Sequence, residues 1–454
     1  MSVVTEVAIA RATQVAARPR VGRLAGLAVV WMLVLGNAGG IVWLWAHGGN
    51  LTTRSTGEVL TSVARITGLL SAYMALIQVV LLARLPALER LVGFDRLTVW
   101  HRWNGHATID LVVAHVFFSV WGYAAMDRFS IGKEISTMLG GGIYPGMITA
   151  TVGTGLLLAV VATSYVIVRR RLRYEWWYAV HLLAYAGIAL AWFHEIPTGN
   201  ELVLDTVAAD YWRALYVATL ALLVGFRVVA PLVKAFRYRL RVAEVVEEGP
   251  GVVSIRMTGR RLDRLHARPG QFFQWRFLDR WWTAHPFSLS EAPDGRSLRI
   301  TVKALGDHTA AFASVPVGTR VLAEGPFGVF TDARRRTGKR LLLAGGIGIT
   351  PVRALVEHPG DDDVVVYRAI REDELVLRGE LEELGVAVHY VVGDHASPGG
   401  DRLLSPDHLL ELVPDIAERD VYLCGPPGMT DAVLRNVRAA GVPRRNVHVE
   451  RFAL

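Results

Sequence analysis

The stretch HRWNGHATIDLVVAH, residues 101–115, places three histidines in one of the apolar segments of the chain. His101 and His115 are 14 residues apart. On a regular helix that spacing returns to within about 40° of the same azimuth, about 21 Å further along the axis. His106 lies about 140° away and does not share the stripe. Polar side chains in a bilayer are costly, so two imidazoles on one helix face predict ligands to two separate groups stacked across a membrane.

The composition predicts a multi-domain membrane protein. The 454 residues are 52% hydrophobic, with a mean hydropathy of +0.33, which is too apolar for an ordinary soluble protein. Six mostly apolar windows are each long enough to cross a hydrocarbon core of about 30 Å. They cover residues 24–46, 59–83, 101–125, 146–168, 175–195 and 211–231. We therefore predict an N-terminal segment (1–23), a six-helix transmembrane bundle (24–232), an antiparallel β-barrel domain (237–335) and an α/β Rossmann-like domain (336–454).

Arginines mark one side of the membrane. They cluster before the first span, in the second-to-third and fourth-to-fifth connections and after the sixth span, whereas the fifth-to-sixth connection is acidic. The cytoplasmic side carries the excess of Lys and Arg. We therefore expect a multi-pass protein of the cell membrane with both termini, and the C-terminal half, in the cytoplasm.

Charge and cysteine content exclude several classes of function. The net charge of +8 needs no nucleic-acid partner, because the membrane-flanking arginines account for much of the excess. The single cysteine, Cys424, excludes an intramolecular disulfide, a Cys-ligated iron–sulfur cluster and a Cys-rich zinc site. Any redox carriers must then be organic cofactors or His-ligated metal.

A second histidine pair occurs in the fifth span, HLLAYAGIALAWFH, residues 181–194. His181 and His194 are separated by about 20 Å of helical rise, and the fifth span runs parallel to the third. Two inner and two outer histidines therefore lie at matched heights, and each pair could supply both axial ligands of one haem. On a regular helix His181 and His194 would face nearly opposite ways, so we expect the helix to be distorted or to end near His194. The alternative is that all four are packed core histidines.

Arg65 lies several residues inside the second span, where an arginine usually has a charged partner or water. The direction of this span places Arg65 near the outer level. An outer haem propionate or an anionic substrate is the expected partner, and snorkelling to the outer interface is the alternative.

The β-barrel domain carries HPFSLS (285–290) and VKALGDHT (302–309) among six predicted strands. The strands are expected near residues 240–246, 252–258, 271–277, 286–290, 298–304 and 319–324. Phe287 and Ser288 could stack on and hydrogen-bond a planar heterocycle. Lys303 and the Gly-containing turn that ends at Thr309 suit a pyrophosphate.

The stretch KRLLLAGGIGITPVRAL (339–355) reads as a strand, a Gly-rich turn and a helix, which is the dinucleotide-binding unit. Arg368 and Arg371 follow the second strand, where an NAD-specific site would often have an acid. They favour a 2′-phosphate and hence NADPH, the alternative being two surface arginines. DVYLCGPPGM (420–429) is a further strand and turn, with Cys424 at its tip.

These sets of motifs occur in the order expected for a known family, and residues 55–454 resemble the NADPH oxidase and ferric reductase superfamily. In that superfamily, six haem-binding spans are fused to a ferredoxin–NADP reductase-like flavin and nicotinamide module. The resemblance implies an inner haem on His101 and His181, an outer haem on His115 and His194, and Arg65 near the outer haem. It implies a flavin site formed by His285, Pro286, Phe287, Ser288, Lys303, Gly306 and Thr309. It implies a nicotinamide-nucleotide site formed by Gly345, Gly346, Gly348, Thr350, Pro351, Arg368, Arg371, Cys424, Gly425 and Pro426, with Cys424 orienting the nicotinamide and Phe452 covering the flavin.

Two positions depart from the family pattern. Phe452 is followed by Ala453 and Leu454, so the aromatic residue is not terminal. Oxidases usually place another histidine one turn beyond the outer third-span ligand, where this chain has Ser119.

The resemblance implies that electrons pass from cytoplasmic NADPH through FAD and two b-type haems to an acceptor outside. We expect ferric iron as the acceptor, with dioxygen as the alternative. A histidine-relay channel with a nucleotide-sensing domain and a membrane-anchored reductase are further hypotheses. The expected partners are the lipid bilayer and a small-molecule acceptor, with no nucleic acid and no obligatory protein partner.

Overall fold

The computed structural model describes residues 20–451 except 141, 166–167, 169–170, 173, 281–283 and 398. The chain divides into two compact units, which meet in sequence between Val228 and Val229. Each unit is described by itself below.

The described residues of the first unit form helices and the connections between them. Its helices are α1 (Arg20–Trp45), α2 (Thr56–Leu81), α3 (Pro86–Val92), α4 (Phe94–Asp127), α5 (Ile131–Gly140), α6 (Met147–Ser164), α7 (Tyr174–Thr198), α8 (Asn200–Leu204) and α9 (Thr206–Val224). Six helical stretches are long and apolar enough to cross a membrane: Leu24–Asn50, Thr56–Leu81, Arg96–Asp127, Met147–Ser164, Trp176–Thr198 and Thr206–Tyr238. The predicted six spans are confirmed.

Polar caps start the helices and apolar side chains cover their outer faces. Ser55 accepts a hydrogen bond from the Glu58 N–H at the start of α2, and Asp205 accepts two from the first turn of α9. Such caps satisfy N–H groups that have no partner within the helix. Met32 and Trp43 on α1 are 69% and 60% exposed, as expected of side chains that face lipid.

Glycines bring the helices together in two close pairs. A Cβ added at Gly122 of α4 would lie 2.8 Å from the backbone nitrogen of Thr61 on α2, and one added at Gly57 would lie 3.1 Å from the Gly122 carbonyl oxygen. On α6 and α7, a Cβ at Gly153 would lie 2.8 Å from the carbonyl oxygen of Gly187. Small residues allow this backbone approach between membrane helices. The pairs α2–α4 and α6–α7 therefore fix the positions of the histidine-bearing helices.

The second unit begins with α10 (Ala230–Tyr238) and a six-stranded barrel. The strands are β1 (Arg241–Gly249), β2 (Val252–Thr258), β3 (Phe272–Phe277), β4 (His285–Ser288), β5 (Ser297–Lys303) and β6 (Val321–Phe327), with α11 (Asp307–Ala310) after β5. Two antiparallel sheets, β1-β2-β5 and β4-β3-β6, are joined at both edges by the bridges Arg241–Arg320 and Leu289–Ile300. The core includes Phe273, Trp275 and Ile300, all at 0% exposure. All six predicted strands are present, displaced by a few residues at most.

A parallel sheet in the order β11-β10-β7-β8-β9 completes the unit. Its elements are β7 (Arg340–Gly345), α12 (Ile349–Leu355), β8 (Val364–Ala369), α13 (Arg378–Glu383), β9 (Ala387–Val392), α14 (Pro406–Leu412), β10 (Asp420–Gly425), α15 (Pro427–Ala439) and β11 (Val447–Arg451). Buried clusters line the sheet on both faces. The carboxyl ends of β7 and β10, at Gly345 and Gly425, meet at one edge, where open α/β sheets bind their ligands.

Candidate haem, flavin and nucleotide sites

The two histidines predicted to be the inner pair, His101 and His181, lie close together on different helices. The rings of His101 on α4 and His181 on α7 have centroids 6.1 Å apart, with 53° between their planes. Two imidazoles bound to opposite sides of one metal ion, with metal–nitrogen bonds of about 2.0–2.1 Å, have centroids about 6 Å apart. The observed separation therefore fits a pair of axial ligands.

Backbone carbonyls orient the two α4 imidazoles. The Nδ1 atom of His101 hydrogen-bonds the carbonyl oxygen of Gln78 at 3.2 Å, and the Nδ1 atom of His115 hydrogen-bonds that of Ala64 at 2.8 Å. A ligating histidine typically donates its second N–H in this way. Gly68 makes the room on α2, because a Cβ there would lie 2.6 Å from Nδ1 of His115. Nε2 of each ring is thus left for another partner.

On α7, the two histidines have different surroundings. Trp177 stacks on His181 at 5.0 Å. Within the described part of the chain, Nδ1 of His181 is buried without a hydrogen-bond partner. The Nδ1 atom of His194 lies 3.0 Å from the Thr198 hydroxyl. The structure therefore brings the His101 and His181 rings together, and the pairing of His115 with His194 stays a prediction.

The helix α7 is continuous through both of its histidines and through Pro197, and it ends at Thr198, four residues after His194. The difference in azimuth expected for a spacing of 13 residues therefore remains. The residue after His194, Glu195, accepts hydrogen bonds from the Trp212 indole at 3.0 Å and from the Tyr216 hydroxyl at 2.8 Å, both on α9. Glu195 was not singled out from the sequence, although a carboxylate beside a candidate ligand is itself a signal.

Arg65 has protein partners. Its Nη1 donates to Oδ1 of Asn50 at 3.0 Å, and Nδ2 of Asn50 donates to Oε1 of Glu201 at 2.6 Å. Asn50 and Glu201 are 4% and 3% exposed. Arg65 follows Ala64, whose carbonyl holds His115, so this arginine lies at the level of the outer histidine pair. The sequence did not identify Asn50 or Glu201 as members of the site.

The predicted flavin motif forms β4, paired to β3. Its first and third residues share one face: the rings of His285 and Phe287 stack 5.9 Å apart, and each meets the edge of Phe312 at 5.5 Å. Pro286 is exposed and Ser288 is buried at 4% exposure. Adjacent strand residues point to opposite faces, and the contact of Phe287 and Ser288 with one flavin stays a prediction.

The predicted pyrophosphate loop is closed by its own threonine. The Thr309 hydroxyl accepts from the N–H groups of Leu305 at 2.7 Å and Gly306 at 3.1 Å, and donates to the Gly306 carbonyl. The hydroxyl therefore holds the turn in this structure instead of facing a ligand. Lys303, at the end of β5, lines a pocket together with Ile347 of the Gly-rich turn and Arg371.

The two predicted turns of the parallel sheet pack against each other. A Cβ at Gly348 would lie 2.3 Å from the carbonyl oxygen of Cys424, and one at Gly345 would lie 2.2 Å from Sδ of Met429 and 3.1 Å from Pro426. No side chain fits at either glycine without movement of the backbone or core. The sequence motifs thus converge at the carboxyl edge of the sheet.

Within this turn, Gly346 has a φ of +51° with open space around it. Gly425 adjoins the turn, since a Cβ there would lie 3.2 Å from Cα of Gly345. Thr350 donates to the Ile347 carbonyl at 3.1 Å and, like Pro351, is buried in the first turn of α12. The role of Thr350 seen here is therefore to close the turn.

Cys424 is fully buried in the sheet core at 0% exposure. Burial, reinforced by the neighbouring Glu450 carboxylate, raises the pKa of the thiol well above its usual value. The cysteine is therefore a neutral thiol beneath the edge of the sheet, and its contact with nicotinamide stays a prediction. Phe452, the predicted flavin cover, lies outside the described residues.

The two candidate phosphate-binding arginines differ. Arg371 is 65% exposed and is ion-paired with Asp373 at 2.9 Å and Glu374 at 3.4 Å. Arg368 pairs in register with Gly345 of the Gly-rich turn. Its guanidinium hydrogen-bonds the carbonyls of Ala369 and Val391, and the described residues include no carboxylate ion-paired with it. Arg368 is therefore the better placed of the two for a phosphate.

Comparisons with known proteins match three parts of the chain. Residues 67–192 match the ferric reductase like transmembrane component, 238–331 a FAD-binding domain and 342–435 an oxidoreductase NAD-binding domain. The first match includes His101, His115 and His181 and stops two residues before His194. The match and the six apolar helices identify a multi-pass membrane protein.

Individual relatives match about half of the chain or less. The ferredoxin reductase component of 3-ketosteroid-9-alpha-monooxygenase from Mycolicibacterium smegmatis is 34% identical over 239 residues, which are 47% of this chain and 65% of the relative. NADH-cytochrome b5 reductase 1 from Laccaria bicolor is 28% identical over 177 residues, 36% of this chain and 58% of the relative. The matches thus span about three fifths of these relatives.

Among solved structures, the flavohem-like FAD/NAD-binding domain of nitric oxide dioxygenase from Vibrio cholerae has 24% identity and a TM-score of 0.39, covering 47% of this chain and 98% of that domain. The three matched domains follow one another in a single chain, in the order transmembrane, FAD-binding and NAD-binding. These three domains in this order are the architecture of the NADPH oxidase and ferric reductase superfamily.

Proposed function

We propose that this protein is a transmembrane oxidoreductase that passes electrons from NADPH through FAD and two bis-histidine haems to an acceptor on the opposite side of the membrane. The observation that carries the proposal is the 6.1 Å separation of the His101 and His181 rings. Packed core histidines need no such distance, whereas two axial ligands of one metal require it. The FAD-binding and NAD-binding domains supply the source of electrons.

The side chains and backbone of this chain bind and orient the carriers. His101 and His181 would hold the inner haem, and His115 and His194 the outer one. The Gln78 and Ala64 carbonyls fix the imidazole orientation on α4. Gly345 and Gly348 let the turn pack against the end of β10, and Gly346 leaves open space beside the turn for a dinucleotide. The chemistry supplied by the bound groups is hydride acceptance from NADPH by flavin and one-electron transfer by haem iron.

The arginine distribution supports an orientation with both termini and the FAD and NADPH domains in the cytoplasm, and with the outer histidine pair toward the outside. A visible spectrum of the purified protein tests the haem assignment. A protein that binds no haem would contradict it and would favour the histidine-relay channel. NADPH oxidation by proteoliposomes, with ferric chelates or oxygen outside, tests the activity and the acceptor.

Arg368→Ala is expected to raise the Michaelis constant for NADPH by about 10- to 100-fold, because a charge-assisted hydrogen bond to the 2′-phosphate contributes about 1.5–3 kcal/mol. NADH should be used nearly as before. Arg371→Ala is the matched control: it lies three residues away but is already neutralised by two acids, so its effect should be smaller. Steady-state kinetics with both nucleotides decide, and equal losses with NADPH and NADH would remove Arg368 from the site.

For the acceptor, we propose ferric iron over dioxygen. Ser119 stands where oxidases hold an imidazole, so a protonatable group next to the outer haem is missing at that position. Reduction of a ferric chelate needs no proton and benefits from a cation that attracts an anionic ligand shell. Arg65, held by Asn50 at the outer level, supplies such a cation.

Arg65→Ala is expected to lower kcat/KM for an anionic ferric chelate by about 5- to 10-fold, with a smaller change for a cationic acceptor. Glu201→Gln should increase the preference for the anionic chelate over the cationic acceptor, because it removes the negative charge next to the Arg65–Asn50 pair. Arg54→Ala is the control for an exposed arginine, because Arg54 lies in the connection just before α2. Equal losses for both acceptors would mean that Arg65 holds a propionate or the fold, and superoxide as the main product with iron present would favour the oxidase alternative.

A further inference from the structure

A buried cluster of charges joins the flavin barrel to the nucleotide sheet. Glu380 of α13 accepts hydrogen bonds from both terminal nitrogens of Arg299, at 2.6 and 2.7 Å, and from Nε of Arg353 at 2.6 Å. Arg299 belongs to β5 of the barrel and Arg353 to α12 of the sheet, and each is 7% exposed. One carboxylate thus binds a guanidinium from each domain, with good bidentate geometry to the first.

A second connection runs beside it. Glu357, at the carboxyl side of α12, accepts from Nη1 of Arg353 at 2.5 Å and from the backbone N–H of Ala292 at 3.2 Å. Arg299 also donates to the carbonyl of Ser290 at 2.9 Å. Ser290 and Ala292 directly follow the HPFS motif of β4. The cluster therefore holds the segment that leaves the predicted flavin motif.

The other end of α12 carries the nucleotide turn. Gly348 immediately precedes this seven-residue helix, which is about 10 Å long. The dinucleotide turn thus leads directly into the start of α12. Near the other end of the same helix, Arg353 and Glu357 make the contacts to the flavin segment. A rigid helix transmits the position of one end to the other.

The charges in this contact are balanced. Burial opposes the charged form of Glu380, but the hydrogen bonds from Arg299 and Arg353 outweigh it and hold the pKa of the carboxyl below its usual range. Removal of the Glu380 carboxylate would take a shared anionic partner from the nearly buried guanidinium groups of Arg299 and Arg353. The carboxylate is therefore required for the contact to keep its geometry.

We propose that Glu380 is a positioning residue for hydride transfer: through Arg299 and Arg353 it sets the distance between the flavin bound by the barrel and the nicotinamide bound by the sheet. This inference rests on the proposed function. Hydride transfer needs reacting atoms about 3–3.5 Å apart, and a displacement of about 1 Å can cost about 100-fold in rate. A positioning residue should therefore change the rate of flavin reduction without changing either affinity.

The test is anaerobic rapid mixing of the full-length, FAD-loaded protein with NADPH and with NADPH deuterated at the transferred position. Glu380→Gln should lower the limiting rate of flavin reduction by about 10- to 100-fold. It should also raise the isotope effect, because hydride transfer then limits the rate more fully. FAD content and the dissociation constant for NADP⁺ should stay unchanged. Glu380→Asp, which keeps the charge, should recover part of the rate.

Glu382→Gln is the matched control, since Glu382 lies on the same helix in an exposed pair with Arg378 at 2.9 Å. It should behave as the unaltered protein. Glu357→Gln, which weakens the second connection, should give a smaller loss than Glu380→Gln. A wild-type rate in Glu380→Gln, an equal loss in Glu382→Gln, or a loss explained by lower FAD content or NADP⁺ affinity would overturn the proposal. Failure of NADPH to reduce the flavin of the unaltered protein would instead overturn the proposed function.

Discussion

Replacing His101 or His181 with alanine is expected to remove one of two haems per chain, halving the haem absorbance of the purified protein. Replacing His115 or His194 should remove the other. The reason is that each imidazole supplies one of two axial bonds, and the opposite histidine alone gives a weaker five-coordinate site. Haem content per chain, visible spectra and redox titration measure the result. The two classes of variant should lose components with different midpoint potentials.

His47→Ala is the control for a histidine of the same unit, because His47 is exposed and hydrogen-bonds only the Trp43 carbonyl among its described contacts. It should keep both haems. Gly68→Ala offers an independent check, since the new Cβ would press on Nδ1 of His115. That variant should perturb the outer component and leave the inner one. Full haem content in all four histidine variants would contradict the assignment.

The second large effect is expected from Gly348→Ala. The added Cβ would lie 2.3 Å from the Cys424 carbonyl oxygen, so the Gly-rich turn or the end of β10 has to move. Overpacking of this kind costs about 1–3 kcal/mol in stability. The displacement of the turn should also lower NADPH-driven flavin reduction by more than about 100-fold. Rapid-mixing kinetics, with dithionite reduction as a reference, measure this loss.

Gly379→Ala provides the comparison, because a Cβ at Gly379 meets nothing within 4 Å. This variant should keep wild-type kinetics and FAD content. If Gly348→Ala reduced its flavin at the normal rate, the dinucleotide could not depend on the close approach of the two turns.

Periodicity predicted most of the architecture. The six spans, the six barrel strands and the strand–turn–helix at 339–355 are all local patterns, because hydrophobic spacing and Gly or Pro at turns act over a few residues. The pairing of His101 with His181 was also predictable, since two parallel helices carry histidines at nearly equal separations. These features need no knowledge of how distant segments pack.

Other contacts could not be read from the sequence. Asn50 and Glu201 are 151 residues apart, and Arg299 and Glu380 are 81 apart, so their meeting depends on tertiary packing. The burial of Cys424 and the inward use of the Thr309 hydroxyl are likewise results of packing. A strand tip reads as exposed in sequence, but β10 lies between β11 and β7, and Cys424 packs in the cluster that includes Ile349 and Val352 of α12.

The close glycine contacts within α2–α4 and within α6–α7 have a consequence for assembly. Each pair can form its own interface, but the proposed haem ligands come from one helix of each pair. A group bound through both His101 and His181 would therefore cross-link two preformed halves and bind only the assembled bundle. Binding of that kind stabilises the assembled state once the concentration of the bound group exceeds its dissociation constant. The cellular supply of haem would then set how much of this protein survives proteolysis, independently of how fast it is synthesised.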